Sequence, residues 1–370
     1  MTAALILGGG APNLTLMSGA LTAFKERNAQ FSAISASGAG MLVALLYAAP
    51  KLTDPEDPAF ALRNTRNMGV VDPINVWFPF NYKVFQKTGV LADWYRKALN
   101  PFLNRLPQTT FAEQWANDLA WFAAAAINPS DLWPLSGGLS APAPWIEDVV
   151  DFAELKRTGP DFYINAYNLD KQEMQTFERH EIEARHFRAG LAFPFIYPPF
   201  KLEHKGEESN YIEGSAVDTF NFEELFEKFE IHKDKKVLKE SKVEIKKGIK
   251  RLVVFDIIGR KRLLHAPTNL YDAWVQSIMV PLVAMARDDL RIFEDKYKKK
   301  HGVEVDRIEF DEDKIDWKNA LSWSRSNLEA LFDIGYAAGR EFCGRSPYLF
   351  EPEAESSDAR PDLRVVPKAW

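Results

Sequence analysis

The first fifty residues constrain the fold most, because they contain a strand, a turn of small residues and a helix twice in succession. Residues 3–7 form a short apolar run that Gly8–Gly10 closes. An apolar run bounded by glycine is typical of a buried strand in a parallel sheet. Residues 14–25 then have helical spacing, residues 31–34 form a second short strand, and residues 41–48 form an apolar helix. This alternation predicts an α/β fold.

The later sequence extends the same pattern. Strand-like runs return at residues 162–167, 211–212 and 252–258, and long helical patterns cover residues 271–299 and 317–342. We therefore expect a mostly parallel central sheet with helices on both faces, in one domain that spans residues 1–345.

The stretch from residue 72 to residue 150 differs from its surroundings, because it holds six of the ten tryptophans: Trp77, Trp94, Trp115, Trp121, Trp133 and Trp145. We predict a mostly helical insertion over one end of the sheet. Packing in a core is the simpler interpretation. A cap or an interfacial surface is the alternative, since indole rings favour the boundary between apolar and aqueous surroundings.

Two other segments have a biased composition. Residues 346–370 are rich in Pro, Glu, Asp and Ser, which predicts a loosely held tail. Residues 228–250 are dense in lysine, which indicates a solvated surface segment, with contact to an anionic membrane as the alternative.

Composition excludes several classes of function. A formal net charge of −6 argues against a nucleic-acid partner, and Cys343, the single cysteine, excludes a disulfide framework and a four-thiolate metal site. The six histidines form no zinc-binding spacing, so we expect neither a metal nor a cofactor. The sequence has no apolar run of about 20 residues, and its first segment is unlike a signal peptide. We expect a cytoplasmic protein, with peripheral membrane contact as an open alternative.

The turn at residues 35–40 carries the candidate nucleophile. Ser37 follows a predicted strand, precedes a predicted helix and has only small neighbours, which is typical of a nucleophile elbow. Gly8–Gly10 lies at the end of the adjacent predicted strand, where backbone N–H groups can form an oxyanion hole. A phosphate cradle is the competing interpretation, but Asn13 stands where a dinucleotide fingerprint requires its third glycine.

The candidate base is Glu213, which follows a short strand and enters a turn of small residues. A triad of Ser37, Asp256 and His265 is an alternative, although no spacing requires it. We expect the other histidines to be structural or solvated.

Four segments, in order, resemble the patatin-like phospholipases, a family of lipid acyl hydrolases with a Ser–Asp dyad. Residues 8–11 look like the family's oxyanion loop, and residues 35–40 look like its G-x-S-x-G elbow. Residues 187–199 resemble its R-A-S-x-A-x-P-x-x-F-P-P segment, and residues 211–218 look like its D-G-[GA] motif. The resemblance implies a three-layer sandwich with a central sheet.

The resemblance also implies a mechanism and a substrate class. Ser37 would attack an ester carbonyl, and Glu213, at the position of the dyad aspartate, would act as the general base. Gly8–Gly10 and Gly38 would hold the oxyanion, and Asp218 is the alternative base. The expected partner is a lipid or another acyl ester.

The sequence departs from the family pattern in the oxyanion loop, in the elbow and in the acidic motif. Residues 12–13, Pro and Asn, follow the oxyanion loop where the family usually has a basic residue and another glycine. Ser35 and Ala39 replace the two elbow glycines, Glu213 replaces the dyad aspartate, and Ser215 stands in place of the glycine two residues later. The substitutions keep small residues small and the acid acidic. Two other functions stay open: a catalytically silent protein that binds lipid, and a soluble esterase or thioesterase for short acyl groups.

Overall fold

The description of the fold rests on a computed structural model. It describes residues 3–10, 14–129, 140–194, 196–222, 249–255, 263–267, 270–298, 302–317 and 321–350.

The described residues form an eight-stranded sheet. Its strands are β1 (Ala3–Leu7), β2 (Ala33–Ala36), β3 (Asp161–Asn168), β4 (Glu173–Glu178), β5 (Phe200–His204), β6 (Glu207–Glu213), β7 (Arg251–Phe255) and β8 (Glu304–Arg307). The order is β5-β6-β3-β2-β1-β7-β8, and β4 also pairs with β3. Neighbouring strands from β3 to β8 in this order run parallel, whereas the pairs β3–β4, β3–β6 and β5–β6 are antiparallel. The prediction of an α/β fold with a mostly parallel sheet is confirmed.

Helices connect many of the strands, and one helix follows the last strand. They are α1 (Leu14–Glu26), α2 (Ala39–Ala48), α3 (Phe60–Arg63), α4 (Asp72–Trp77), α5 (Val90–Leu103), α6 (Phe111–Ile127), α7 (Ile146–Val149), α8 (Phe152–Arg157), α9 (Ala184–Gly190), α10 (Leu270–Ile292) and α11 (Arg325–Arg345). Every residue of β1 and β2 is buried, so the sheet centre lies in the core.

Most predicted elements form, with two kinds of difference. The last helix begins at Arg325 rather than at residue 317, because the Ser324 hydroxyl caps it by accepting the Asn327 N–H at 3.4 Å. Strands β4, β5 and β8 were not predicted. Each has exposed or half-exposed positions and lacks the apolar run that made the central strands recognisable.

Helix α11 packs so closely against α1 that the two backbones are in contact. This contact attaches the C-terminal part of the domain to the helix after β1. A β-carbon on Gly335 would lie 2.0 Å from the Leu16 carbonyl oxygen, and one on Gly19 would lie 2.0 Å from the Phe332 carbonyl oxygen. Only residues without a side chain allow this approach.

The predicted insertion contains α4, α5, α6 and α7, and much of its apolar surface faces solvent. Trp77 is 80% exposed, Trp94 is 70% exposed and Trp115 is 40% exposed, so the core interpretation is wrong for these three indoles. A buried ion pair joins two parts of the insertion: Lys83 Nζ lies 2.5 Å from Asp118 Oδ1.

Three segments with sequence predictions fall wholly or largely outside the described residues. They are Trp133, the lysine-dense segment at residues 228–250, of which only 249–250 are described, and the tail beyond residue 350.

Candidate active site

Two turns of small residues lie side by side, because the strands that precede them are paired in parallel. Leu7 at the end of β1 pairs in register with Ala36 at the end of β2. The Ser37 N–H donates to the Leu7 carbonyl oxygen at 2.9 Å. A β-carbon on Gly40 would lie 2.3 Å from the Gly8 carbonyl oxygen, so α2 starts in direct contact with the glycine turn Gly8–Gly10.

The sharp change of direction between β2 and α2 occurs at Gly38. Its backbone has φ +53° and ψ −134°, and α2 begins at the next residue, Ala39. A positive φ with this ψ is nearly restricted to glycine. Ser37 still belongs to the strand ladder through its N–H. The predicted nucleophile therefore precedes the turning residue by one position.

The Ser37 hydroxyl is directed to β3. It is fully buried and donates to Asn165 Oδ1 at 2.7 Å, with the Asp218 carbonyl oxygen at 3.5 Å. The structure thus pairs Ser37 with an amide side chain, and not with Glu213. Its assignment as the nucleophile stays a prediction.

Glu213 is the last residue of β6 and is 6% exposed. Its N–H donates to the Ala192 carbonyl oxygen at 3.0 Å. Burial raises the pKa of its carboxyl group to about 8, and a hydrogen bond from the Ser215 hydroxyl to Oε1 opposes that rise. A β-carbon on Gly38 would lie 2.2 Å from Oε1, so the carboxyl group faces the backbone of the elbow.

Ser215 stands where the family pattern has a glycine, and the sequence alone predicted no function for it. Its side chain is buried, and its Oγ lies 2.6 Å from the position of a β-carbon on Gly9 and 2.5 Å from that of one on Gly38. The glycine turn, the elbow and the turn after β6 therefore meet at this hydroxyl. The available signal was a serine two residues after the predicted base.

Asp218, the alternative base, stabilises its own loop. Its Oδ1 accepts the N–H groups of Phe220 at 3.2 Å and Asn221 at 3.0 Å. Burial, with the adjacent Asp218 as a second cause, raises the pKa of Asp289 to about 7. The contact of Asp218 with the Ser37 hydroxyl is made by its backbone oxygen.

Of the alternative triad of Ser37, Asp256 and His265, the structure describes only Ser37 and His265. His265 Nε2 lies 3.0 Å from Asp272 Oδ1, and Asp256 falls outside the described ranges. Within those ranges, no three His, Cys, Asp or Glu side chains converge to hold a metal ion.

An apolar cavity of about 180 Å³ opens onto this site. Glu213, Ser215, Gly10 and Ala39 all line it, whereas Ser37 does not. Most of its remaining wall is apolar or aromatic and includes Leu14, Leu42, Met68, Val84, Phe85, Tyr197, Met279 and Trp323. Such a cavity suits a molecule with an apolar chain and one reactive polar group.

Comparison with known proteins identifies the family. The model of the patatin-like phospholipase family matches residues 5–226, which is more than half of the chain. The chain belongs to the patatin-like phospholipase family. No curated protein sequence matches the chain significantly.

Two solved structures are similar to this patatin-like chain at low identity. VipD from Legionella pneumophila has 12% identity and a TM-score of 0.34, with 90% of this chain and 66% of that chain covered. Human GIVD cytosolic phospholipase A2 has 10% identity and a TM-score of 0.38, with 93% of this chain and 61% of that chain covered. The present chain thus spans somewhat less than two thirds of either structure. Among the described helices of the patatin-like chain, none combines the length and apolar character needed to cross a bilayer.

Proposed function

We propose that this protein hydrolyses carboxylic esters of lipids, as a phospholipase A or a lysophospholipase does. The observation that carries the proposal is a buried carboxyl group, hydrogen-bonded to a hydroxyl, in the wall of a mostly apolar cavity. The apolar wall would hold an acyl chain and place its ester carbonyl beside Glu213.

Glu213 is the general base in this proposal. Because burial raises its pKa to about 8, close to physiological pH, the group can accept a proton during attack and return it to the leaving alcohol. The base acts only when ionised, so kcat/KM should rise with pH and level off above about 8. A flat profile between about pH 6 and 9 would contradict this role for Glu213.

The nucleophile predicted from the sequence is Ser37. To act with Glu213, its hydroxyl must exchange the hydrogen bond to Asn165 for one to the carboxylate. Family membership supports a serine nucleophile at this turn, whereas the observed hydrogen bonds favour a different hydroxyl as the partner of Glu213.

A fluorophosphonate probe tests the function independently of which serine reacts. We expect one covalent adduct per chain by intact mass, and release of fatty acid from phospholipid micelles. Glu213→Gln, which keeps the side-chain size, should lose both. A folded protein with neither adduct nor turnover, yet able to bind lipid, would instead be a catalytically silent member of the family.

The insertion at residues 72–150 is proposed to contact a lipid surface. Within its described part, thirteen large apolar side chains are exposed: Val76, Trp77, Phe78, Phe80, Val90, Leu91, Trp94, Phe102, Leu106, Phe111, Trp115, Leu119 and Ile127. Phe80 also lines the cavity, which connects this surface with the site. Indole rings at an aqueous surface favour the interface of a membrane.

Vesicle sedimentation tests this contact. Trp77→Ser and Trp94→Ser should weaken binding to phosphatidylcholine vesicles, whereas Ile292→Ser, at an exposed apolar residue outside the insertion, should not. If hydrolysis of a short-chain ester in free solution matches hydrolysis of aggregated lipid, and the tryptophan variants bind vesicles normally, the protein is a soluble esterase.

A further inference from the structure

The turn between β2 and α2 has the backbone shape of a nucleophile elbow, but the residue at which the chain turns, Gly38, has no hydroxyl group. Gly38 has the backbone conformation with φ +53°, and it carries no side chain. Ser37, one residue earlier, directs its hydroxyl to Asn165 and does not line the cavity. Neither Gly38 nor Ser37 therefore presents a hydroxyl group to a substrate ester in the cavity.

The Ser215 hydroxyl occupies the space that this glycine leaves. A β-carbon on Gly38 would lie 2.5 Å from Ser215 Oγ, and one on Gly9 would lie 2.6 Å from it. Both separations are far below van der Waals contact, so neither position accepts a side chain while Ser215 stays in place. The Ser215 side chain can therefore occupy its position only because Gly9 and Gly38 have no side chains.

Ser215 also has a neighbouring carboxyl group that can accept its proton and a place in the cavity wall. Its hydroxyl donates to Glu213 Oε1, and both residues line the apolar cavity together with Gly10. Within the described residues, the N–H groups of Gly9 and Gly10 donate to no backbone carbonyl, so they can receive a developing oxyanion.

We propose that Ser215, paired with Glu213, is the nucleophile of this enzyme, and that it replaces a serine at the elbow. The inference rests on the proposed esterase function. Ser215 Oγ attacks the ester carbonyl carbon while its proton passes to Glu213. The bond to the alcohol oxygen then breaks, and the alcohol leaves with the proton from Glu213. Water attacks the acyl-serine, gives its proton to Glu213 and releases the fatty acid, and Ser215 recovers its proton from Glu213.

In this arrangement Ser37 supports the turn that carries the dyad. Its hydroxyl fixes Asn165, and a β-carbon on Gly214 would lie 2.4 Å from Asn165 Oδ1. Asn165 therefore packs directly against the residue between Glu213 and Ser215. Removal of the Ser37 hydroxyl should change the position of the dyad without removing a reacting atom.

Peptide mapping of the full chain after fluorophosphonate treatment tests the assignment without a variant. We expect the adduct on the peptide that contains Ser215. Ser215→Ala should abolish labelling and lower kcat by about 10³-fold or more, and Ser37→Ala should keep the adduct on Ser215. Ser209→Ala, at another buried serine, is the control for nonspecific effects on folding.

The outcomes separate the two proposals. An adduct on Ser37 would overturn the role of Ser215 and leave the esterase function in place. An absence of any adduct and any turnover in the folded wild-type protein would overturn the esterase function itself. A Ser215→Ala variant that melts like the wild type and still reacts would also refute the assignment.

Discussion

Replacing Glu213 with glutamine should change how the stability of the protein depends on pH. The Glu213 carboxyl group has a pKa of about 8 in the folded protein, against an ordinary value of 4.5. Between these values the folded state holds a proton that the unfolded state has released. The free energy of unfolding of the wild type therefore falls as pH rises through this window. A glutamine side chain does not titrate, so the Glu213→Gln variant lacks this decrease.

The size of the change in unfolding free energy follows from the difference between the two pKa values of Glu213. Each unit of pKa difference corresponds to about 1.4 kcal/mol, so the displacement from 4.5 to about 8 amounts to about 5 kcal/mol. The variant should gain stability relative to the wild type by roughly 1.4 kcal/mol for each pH unit from about 4.5 to 8. Above about pH 8 the difference should become constant.

Urea denaturation of both proteins at intervals from about pH 5 to about pH 9 measures this difference. Asp289, with a pKa raised to about 7, adds a slope of the same sign to both proteins, and it cancels when the two curves are subtracted. Asp289→Asn serves as the matched control, because it removes that second slope and should leave the Glu213 contribution unchanged. Parallel stability curves for wild type and Glu213→Gln would show that the carboxyl group is solvated, and would refute the buried-base argument.

Two further predictions concern packing. Gly335→Ala should lower the free energy of unfolding, measured by urea denaturation, by about 1–3 kcal/mol, because its β-carbon would lie 2.0 Å from the Leu16 carbonyl oxygen. Gly344→Ala, in the same helix, places its β-carbon in open space and should be neutral or stabilising. Equal effects of the two substitutions would contradict the close packing of α11 against α1. Asp118→Ala should lower the free energy of unfolding by about 3–5 kcal/mol in thermal or urea denaturation, because it leaves the buried Lys83 ammonium without its carboxylate partner. A loss below about 1 kcal/mol would mean that the ion pair is solvated.

The central strands and the two turns were predictable from the sequence, because local properties determine them. Five apolar residues before three glycines favour a buried strand that ends in an open turn, and β1 forms there. The position of Glu213 after a strand also placed it correctly at the end of β6. Strands β4, β5 and β8 were not predictable in the same way, since their pairing depends on neighbours rather than on their own apolar residues.

The turning residue of the elbow was decided by tertiary structure. The sequence predicts an elbow centred on Ser37, within a run of small residues that also contains Gly38. The ladder between β1 and β2 extends to the Ser37 N–H, so the change of direction occurs one residue later. A shift of one residue directs the Ser37 hydroxyl toward Asn165 instead of into the cavity.

The sequence by itself determined that this chain forms a mostly parallel α/β sheet and that an acid and small-residue turns lie at its strand ends. The sequence could not determine which hydroxyl group donates a hydrogen bond to the carboxyl group of Glu213. Gly9, Gly38 and Ser215 are remote in sequence, and only the packing of three turns brings them together. Burial, which sets the pKa of Glu213, is likewise a property of the whole fold, because it depends on every element that excludes water from that carboxyl group.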